Sequence, residues 1–167
     1  MFNLWLQTRS LDIIKEKISK MGFTFNDENK PLANYKSYVI SNGFIFISGQ
    51  ISIFKDKLIT GKIKNENDFS KAKTAVKAAT VNLLLVLDEC ISEEKININK
   101  IKIVNLKGYL NVSEDFTKHS QLFNESSKLI IDVLGESNGS HSRSVLGVFN
   151  LPFDAMVEIE GMFSISK

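Results

Sequence analysis

Two side chains in the C-terminal part of the chain offer the most chemistry. Arg143 opens an apolar run just after a small polar segment, residues 136–142. Its guanidinium is a rigid fork of donors that matches a carboxylate in a bidentate pair. Glu158 lies in Val157-Glu158-Ile159-Glu160. A single carboxylate beside a bound water can take a proton from that water and then return it to a leaving group. Both residues also admit plain structural readings: an ion pair from Arg143 to Glu158 or Glu160, and a solvated glutamate on the polar face of an edge strand. If a hairpin closes around Pro152, Arg143 falls about 13 Å along the strand from the residue facing Glu158. Spacing alone does not bring the two together.

Lesser candidates surround them. Tyr35 has the amphipathic ring of a ligand-binding wall or of a half-buried core residue. Ser48-Gly49 ends an apolar run, where glycine allows close approach of a ligand or marks a bulge. His141 precedes Arg143 in the polar segment, and histidine is the side chain that exchanges protons near neutrality; a loop histidine serving local hydrogen bonds is the alternative. With two histidines and one cysteine, Cys90, no metal cluster is expected and a disulfide within the chain is impossible. Cys90 closes an amphipathic pattern and is expected to pack in or near the core. No Gly-rich phosphate loop or nucleophile elbow is present, so no cofactor is expected. The 21 basic and 19 acidic residues, net charge +2, are interspersed. That is no footprint for a nucleic-acid binder. No apolar run approaches the ~20 residues of a membrane span. A reducing, cytoplasmic location fits the single cysteine.

The elements that must position these residues can be read from periodicity. The 167 residues suit one domain, 1–167, with an N-terminal helical extension over about 1–22. Ser10 caps a first helix with Leu11, Ile14, Ile18 and Met21 on one face and Gly22 as its stop. A strand over 35–40, the turn Asn42-Gly43 and a strand over 44–48 form a hairpin. Short extended pieces flank Lys55-Asp56-Lys57. Asp68 caps a long helix over 69–90, and a strong strand begins at Ile101. A second long helix over 114–134 stops at Gly135, followed by a loop over 136–142. Strands over 143–150 and 155–165 pair as a final hairpin. The order hairpin, helix, strand, helix, hairpin suits an α+β fold, a mixed sheet with both long helices on one face.

The placement of Tyr35, Ser48-Gly49-Gln50, Arg143-Ser144, Val148, Leu151-Pro152 and Val157-Glu158-Ile159-Glu160 resembles the Rid (YjgF-type) family. A longer subgroup is more similar still, through Ala33-Asn34-Tyr35, Phe123-Asn124-Glu125-Ser126-Ser127, Gly135-Glu136 and His141-Ser142-Arg143-Ser144. The likeness runs from about Ile13 to Ile165. It implies a chorismate-mutase-like domain assembled as a homotrimer, with ligand clefts between subunits. A row of Gly108, Leu110, Met156 and Met162 is compatible with such an interface.

The resemblance also implies roles. Arg143 would hold the carboxylate of a 2-imino acid or its enamine tautomer, and Glu158 would handle the protons. Tyr35 from a neighbouring subunit, Ser48, Gly49 and His141 would line the cleft. Ser120 departs from the pattern, because deaminating members carry asparagine there. Asn124, one helical turn later, can supply an amide from the same face. The leading expectation is therefore an imine or enamine deaminase acting on a small carboxylate-bearing ligand. A binding module that holds a small carboxylate or keto acid without turnover is the alternative. The ribonuclease or translation-inhibitor label carried by the family is a distant third, given the absence of a basic stripe.

Overall fold

The protein is described by a computed structural model covering residues 13–24 and 35–166. The Ser10 cap, Leu11 and the polar stretch before Tyr35 lie outside the described residues.

The first described helix, α1 (Ile13–Lys20), buries Ile14 and Ile18, one turn apart on a single face. Gly22 then takes a φ of 84° and ends it. Strands β1 (Tyr38–Ser41) and β2 (Phe44–Ile51) form the expected hairpin, with β1 starting at Tyr38 rather than Tyr35. Asn42 and Gly43 both have positive φ, 50° and 78°, as a two-residue turn of this twist requires. Lys55 and Asp56 repeat the device between the short strands β3 (Ile53–Phe54) and β4 (Lys57–Leu58).

Helix α2 (Phe69–Glu93) is the spine of the core. Asp68 does not cap it by a side-chain bond. Its carboxylate instead accepts from the main-chain N–H groups of Lys64 and Asn65, while Asn65 caps the 3-10 turn Glu66–Asp68. Two orphan donors are satisfied reciprocally just upstream of the expected place. Cys90 is fully buried on this helix, and burial pushes its thiol up to about 12. Strand β5 (Ile101–Asn111) follows, then α3 (His119–Leu134), which begins five residues later than its apolar pattern suggested (119 against 114). Gly135 ends α3 at φ 82°, and Glu136–Gly139, expected as loop, is a one-turn helix, α4. Strands β6 (Ser142–Val148) and β7 (Val157–Ile165) complete the chain.

The sheet order is β1-β2-β7-β5-β6. The expected final hairpin of β6 with β7 does not form. β6 pairs in parallel with β5, and β7 lies between β5 and β2, antiparallel to both. The cause sits at residues 152–155. Phe153 and Asp154 adopt left-handed φ values of 58° and 59°, Ala155 bridges Thr60, and Asn111 N–H donates to Met156 O. These contacts carry the chain across the end of β5 before β7 begins. In that central position Val157, Ile159 and Phe163 are fully buried under the helices, which a two-stranded hairpin could not achieve.

Both long helices cover one face, as expected. Phe123 of α3 lies on Gly108 so closely that a Cβ there would stand 2.8 Å from Phe123 Cδ2. Gly108, Leu110 and Met156 are therefore core residues, not the outward row the sequence suggested, and only Met162 lies on the opposite face. That opposite face is open. It carries Val39, Phe44, Phe46 and Leu146, all exposed, around the Lys107–Glu160 ion pair. No helix among the described residues is long and apolar enough to cross a membrane.

Candidate functional site

Arg143 is placed by the edge strand β6 and held by α3. It is level with Leu106 of β5, a core residue, so its side chain leaves the sheet on the helix-bearing face. Ser120, Asn124 and Ser127 recur at helical spacing along the facing side of α3. Arg143 Nη1 donates to Ser127 Oγ at 2.9 Å, and Nη2 donates to Asn124 Oδ1 at 2.7 Å and to Ser120 O at 3.3 Å. Phe123 backs the guanidinium at 5.8 Å from ring centroid to Cζ. Among the described residues, three hydrogen bonds engage the guanidinium, one from Nη1 and two from Nη2. His141 belongs to the same cluster, with Nε2 3.0 Å from Ser127 Oγ and Nδ1 2.5 Å from Gly139 O. Ser120 contributes its carbonyl to this cluster, and the amide comes from Asn124.

Glu158 packs its carboxylate against Gly49, one residue after Ser48. The register of β2 against β7 shifts between Ile47 and Gln50, and this irregularity brings Gly49 under the carboxylate. A Cβ at position 49 would overlap Glu158 Oε1 and stand 2.8 Å from Cδ, so only glycine admits the approach. Burial pushes the Glu158 carboxyl above its ordinary value of 4.5, and neighbouring Glu160 adds to the rise. Glu160 is paired with Lys107 at 2.8 Å, whereas no ion pair among the described residues neutralises Glu158. Ser48 Oγ donates to Lys36 O at 2.8 Å and Ser48 N–H donates to Ser37 O at 3.0 Å. These bonds pin the segment that follows Tyr35, whose own ring is exposed.

The two clusters do not meet within one protomer. Glu158 is level with Tyr109 and Leu146, three residues along β6 from Arg143 (146 − 143), or roughly 10 Å. Glu158 alternates with buried Val157 and Ile159, so it projects from the open face while Arg143 projects from the other. Strand β5 lies between them. The simple ion pair of Arg143 with Glu158 or Glu160 is therefore absent: Arg143 is bonded to α3 and Glu160 to Lys107. Of the residues singled out in the sequence, Arg143, Ser120, Asn124 and His141 come together, and so do Gly49 and Glu158, while Ser48 is bonded to Lys36 and Ser37. Ser127 and Gly139 were missed. Ser127's signal was its helical phase with Ser120 and Asn124, whereas Gly139 had none.

A five-stranded mixed sheet with two long helices on one face, an arginine cluster at its free edge and a carboxylate on its bare side define a chorismate-mutase-like α+β domain. The family model described as "YjgF/chorismate mutase-like, putative endoribonuclease" matches residues 16–163, and the chain belongs to that family. Protein TCP17 of Trypanosoma cruzi is 27% identical over 158 residues, covering 92% of this chain and 95% of that protein. Among solved structures, the protein Atu1372 of Agrobacterium tumefaciens superposes with a TM-score of 0.80 at 30% identity, over 99% of this chain and 100% of that one. A Shewanella oneidensis protein described as "a putative endoribonuclease" also reaches 0.80, at 21% identity over 91% of this chain and 99% of that one. At that identity the likeness speaks for the fold alone.

Proposed function

We propose that the protein hydrolyses 2-imino acids and their enamine tautomers to 2-keto acids and ammonia, in sites completed between the protomers of a homotrimer. The observation that carries this reading is Glu158: a half-buried carboxylate, unpaired among the described residues, with raised proton affinity and a glycine beneath it. Such a group can change protonation state during turnover at lower cost than an ion-paired one. In the reaction, Glu158 takes a proton from water as the oxygen adds to the C=N carbon. That proton passes to nitrogen to give the carbinolamine; Glu158 then takes the hydroxyl proton and delivers it to the same nitrogen, so that the C–N bond breaks and ammonia leaves as the C=O bond forms. The Arg143 guanidinium holds the substrate carboxylate through N–H groups that α3 does not engage.

The trimer enters because the halves face opposite sides of the sheet in one chain. Exposed Val39, Phe46 and Leu146 on the bare face, together with the free edge at β6, are the kind of surface that a second copy covers. Arg143 of one protomer would then meet Glu158 of the next.

A coupled assay tests this, with an amino-acid oxidase generating imines from several amino acids. Faster keto-acid formation by wild type, lost in Arg143→Ala and Glu158→Gln, is the expected result. No acceleration across the panel would overturn the hydrolase. A second reading, carboxylate binding without turnover, draws on the three internal bonds of Arg143, which mark a rigid anchor whether or not chemistry follows. It predicts keto-acid binding that disappears in Arg143→Ala while Glu158→Gln binds normally.

A further inference from the structure

We propose that Ser127 and His141 are positioning residues that hold Arg143 in its ligand-binding orientation through one directed chain of hydrogen bonds. This rests on the reading of Arg143 as the carboxylate anchor. The direction of every link follows from what each atom can do. Gly139 O can only accept, so His141 Nδ1, 2.5 Å away, carries the hydrogen. A guanidinium can only donate, so Ser127 Oγ accepts from Arg143 Nη1 at 2.9 Å. In the neutral ring Nε2 is then the bare acceptor nitrogen, and the single Ser127 hydrogen is donated to it at 3.0 Å. The chain runs Arg143 to Ser127 to His141, and the ring is fixed from behind by Gly139.

The anchor for this chain is α3 at both ends. Ser127 lies on it, and Gly139 is pressed against its backbone: a Cβ at 139 would stand 2.8 Å from Ile131 Cα and 3.2 Å from Ile130 O. Gly139 N–H also donates to Gly135 O at 2.7 Å, closing α4 on the end of α3. The carbonyl that orients His141 is therefore set by a main-chain contact with a rigid helix. Arg143 on the edge strand inherits its position from that helix, and Asn124 supplies the second point of support at 2.7 Å. The role of His141 is thus to receive the Ser127 hydrogen, so that the serine lone pair stays aimed at Arg143.

The test uses the full chain. Nitrogen-15 NMR of the histidine rings, above the ordinary histidine range of about 6.5, should find His141 as the Nδ1–H tautomer. Ser127→Ala should leave the hydrogen on Nδ1, held by Gly139 O, but shift the Nε2 resonance as that nitrogen loses its hydrogen-bond donor, and Ser127→Thr, which keeps the hydroxyl, should restore it. Pyruvate serves as the carboxylate probe: its affinity should fall about tenfold in Ser127→Ala, a loss of one hydrogen bond to a charged group, and recover in Ser127→Thr. In the coupled assay the same alanine variant should raise KM more than it lowers kcat. Wild-type His141 as Nε2–H, or an Nε2 resonance unmoved by Ser127→Ala, would overturn the chain. Absence of hydrolysis in wild type would sink the hydrolase reading instead, and the wild-type tautomer would still decide this one without any variant having to fold.

Discussion

Glu158 and Gly49 form a unit in which each constrains the other. The folded-state pKa of Glu158 lies above its ordinary 4.5 because burial disfavours the charged form. A raised pKa means stability that is full below the unfolded value and lost as pH rises through the folded one. Glu158→Gln removes that loss, so thermal melts should find the variant more stable than wild type at neutral pH. The gap should close as pH falls below 4.5; a constant gap would mean that packing, not ionisation, sets it. Gly49→Ala should act on the same pair from beneath. Overlap with Oε1 forces the flexible carboxylate aside, so denaturant unfolding should change little while the carboxylate loses its place. Imine hydrolysis should fall at least tenfold, because displacement of a catalytic group is costly even at the 1 Å scale.

Among the elements, the close seat of α3 on β5 matters most to the arginine cluster. Phe123 packs on Gly108 and also backs the Arg143 guanidinium. Gly108→Ala should destabilise by about 1–3 kcal/mol through overpacking. Because α3 carries Ser120, Asn124 and Ser127, the same variant should also weaken keto-acid binding, measurable by titration calorimetry. Leu87→Ala in α2, fully buried but remote from both clusters, should cost about 2–5 kcal/mol of stability. Its effect on binding by the folded fraction should be small. A matching loss of binding in both variants would mean that α3 does not transmit its position to Arg143.

At the scale of the whole molecule, the open sheet face is the feature that a lone protomer leaves unexplained. Phe46→Asp places a charge among exposed apolar groups. On the proposed trimeric hydrolase, light scattering should find the mass reduced from three chains to one, with hydrolysis lost alongside. A trimer that survives would move the interface elsewhere. Mixed assemblies offer a sharper check. Arg143→Ala and Glu158→Gln each spoil one half of every site in a pure trimer. Refolded together in equal amounts, they should regain up to about a quarter of wild-type rate, since random cyclic assembly joins an intact arginine to an intact glutamate at one interface in four. No recovery would place both halves of each site in one chain.

The sequence by itself determined the elements and the residues worth watching. Asn42-Gly43 specified a hairpin because left-handed φ at both positions is cheap only for such residues. The alternation of Val157, Ile159, Gly161 and Phe163 marked β7, and the apolar spacing marked α2, because period is a local property of the chain. Ser120 and Asn124 were legible as neighbours for the same reason. The partner of β6 was not, because strand pairing is set by which surfaces can be buried together, and the left-handed turn at Phe153 and Asp154 has no glycine to announce it. Gly139 stayed hidden likewise, since its need for a bare Cα arises only when Ile131 presses against it. Tertiary structure alone decided that Arg143 and Glu158 face opposite sides of one sheet. Side-chain direction at each position is local, but the strand placed between them is chosen by the burial of the whole core.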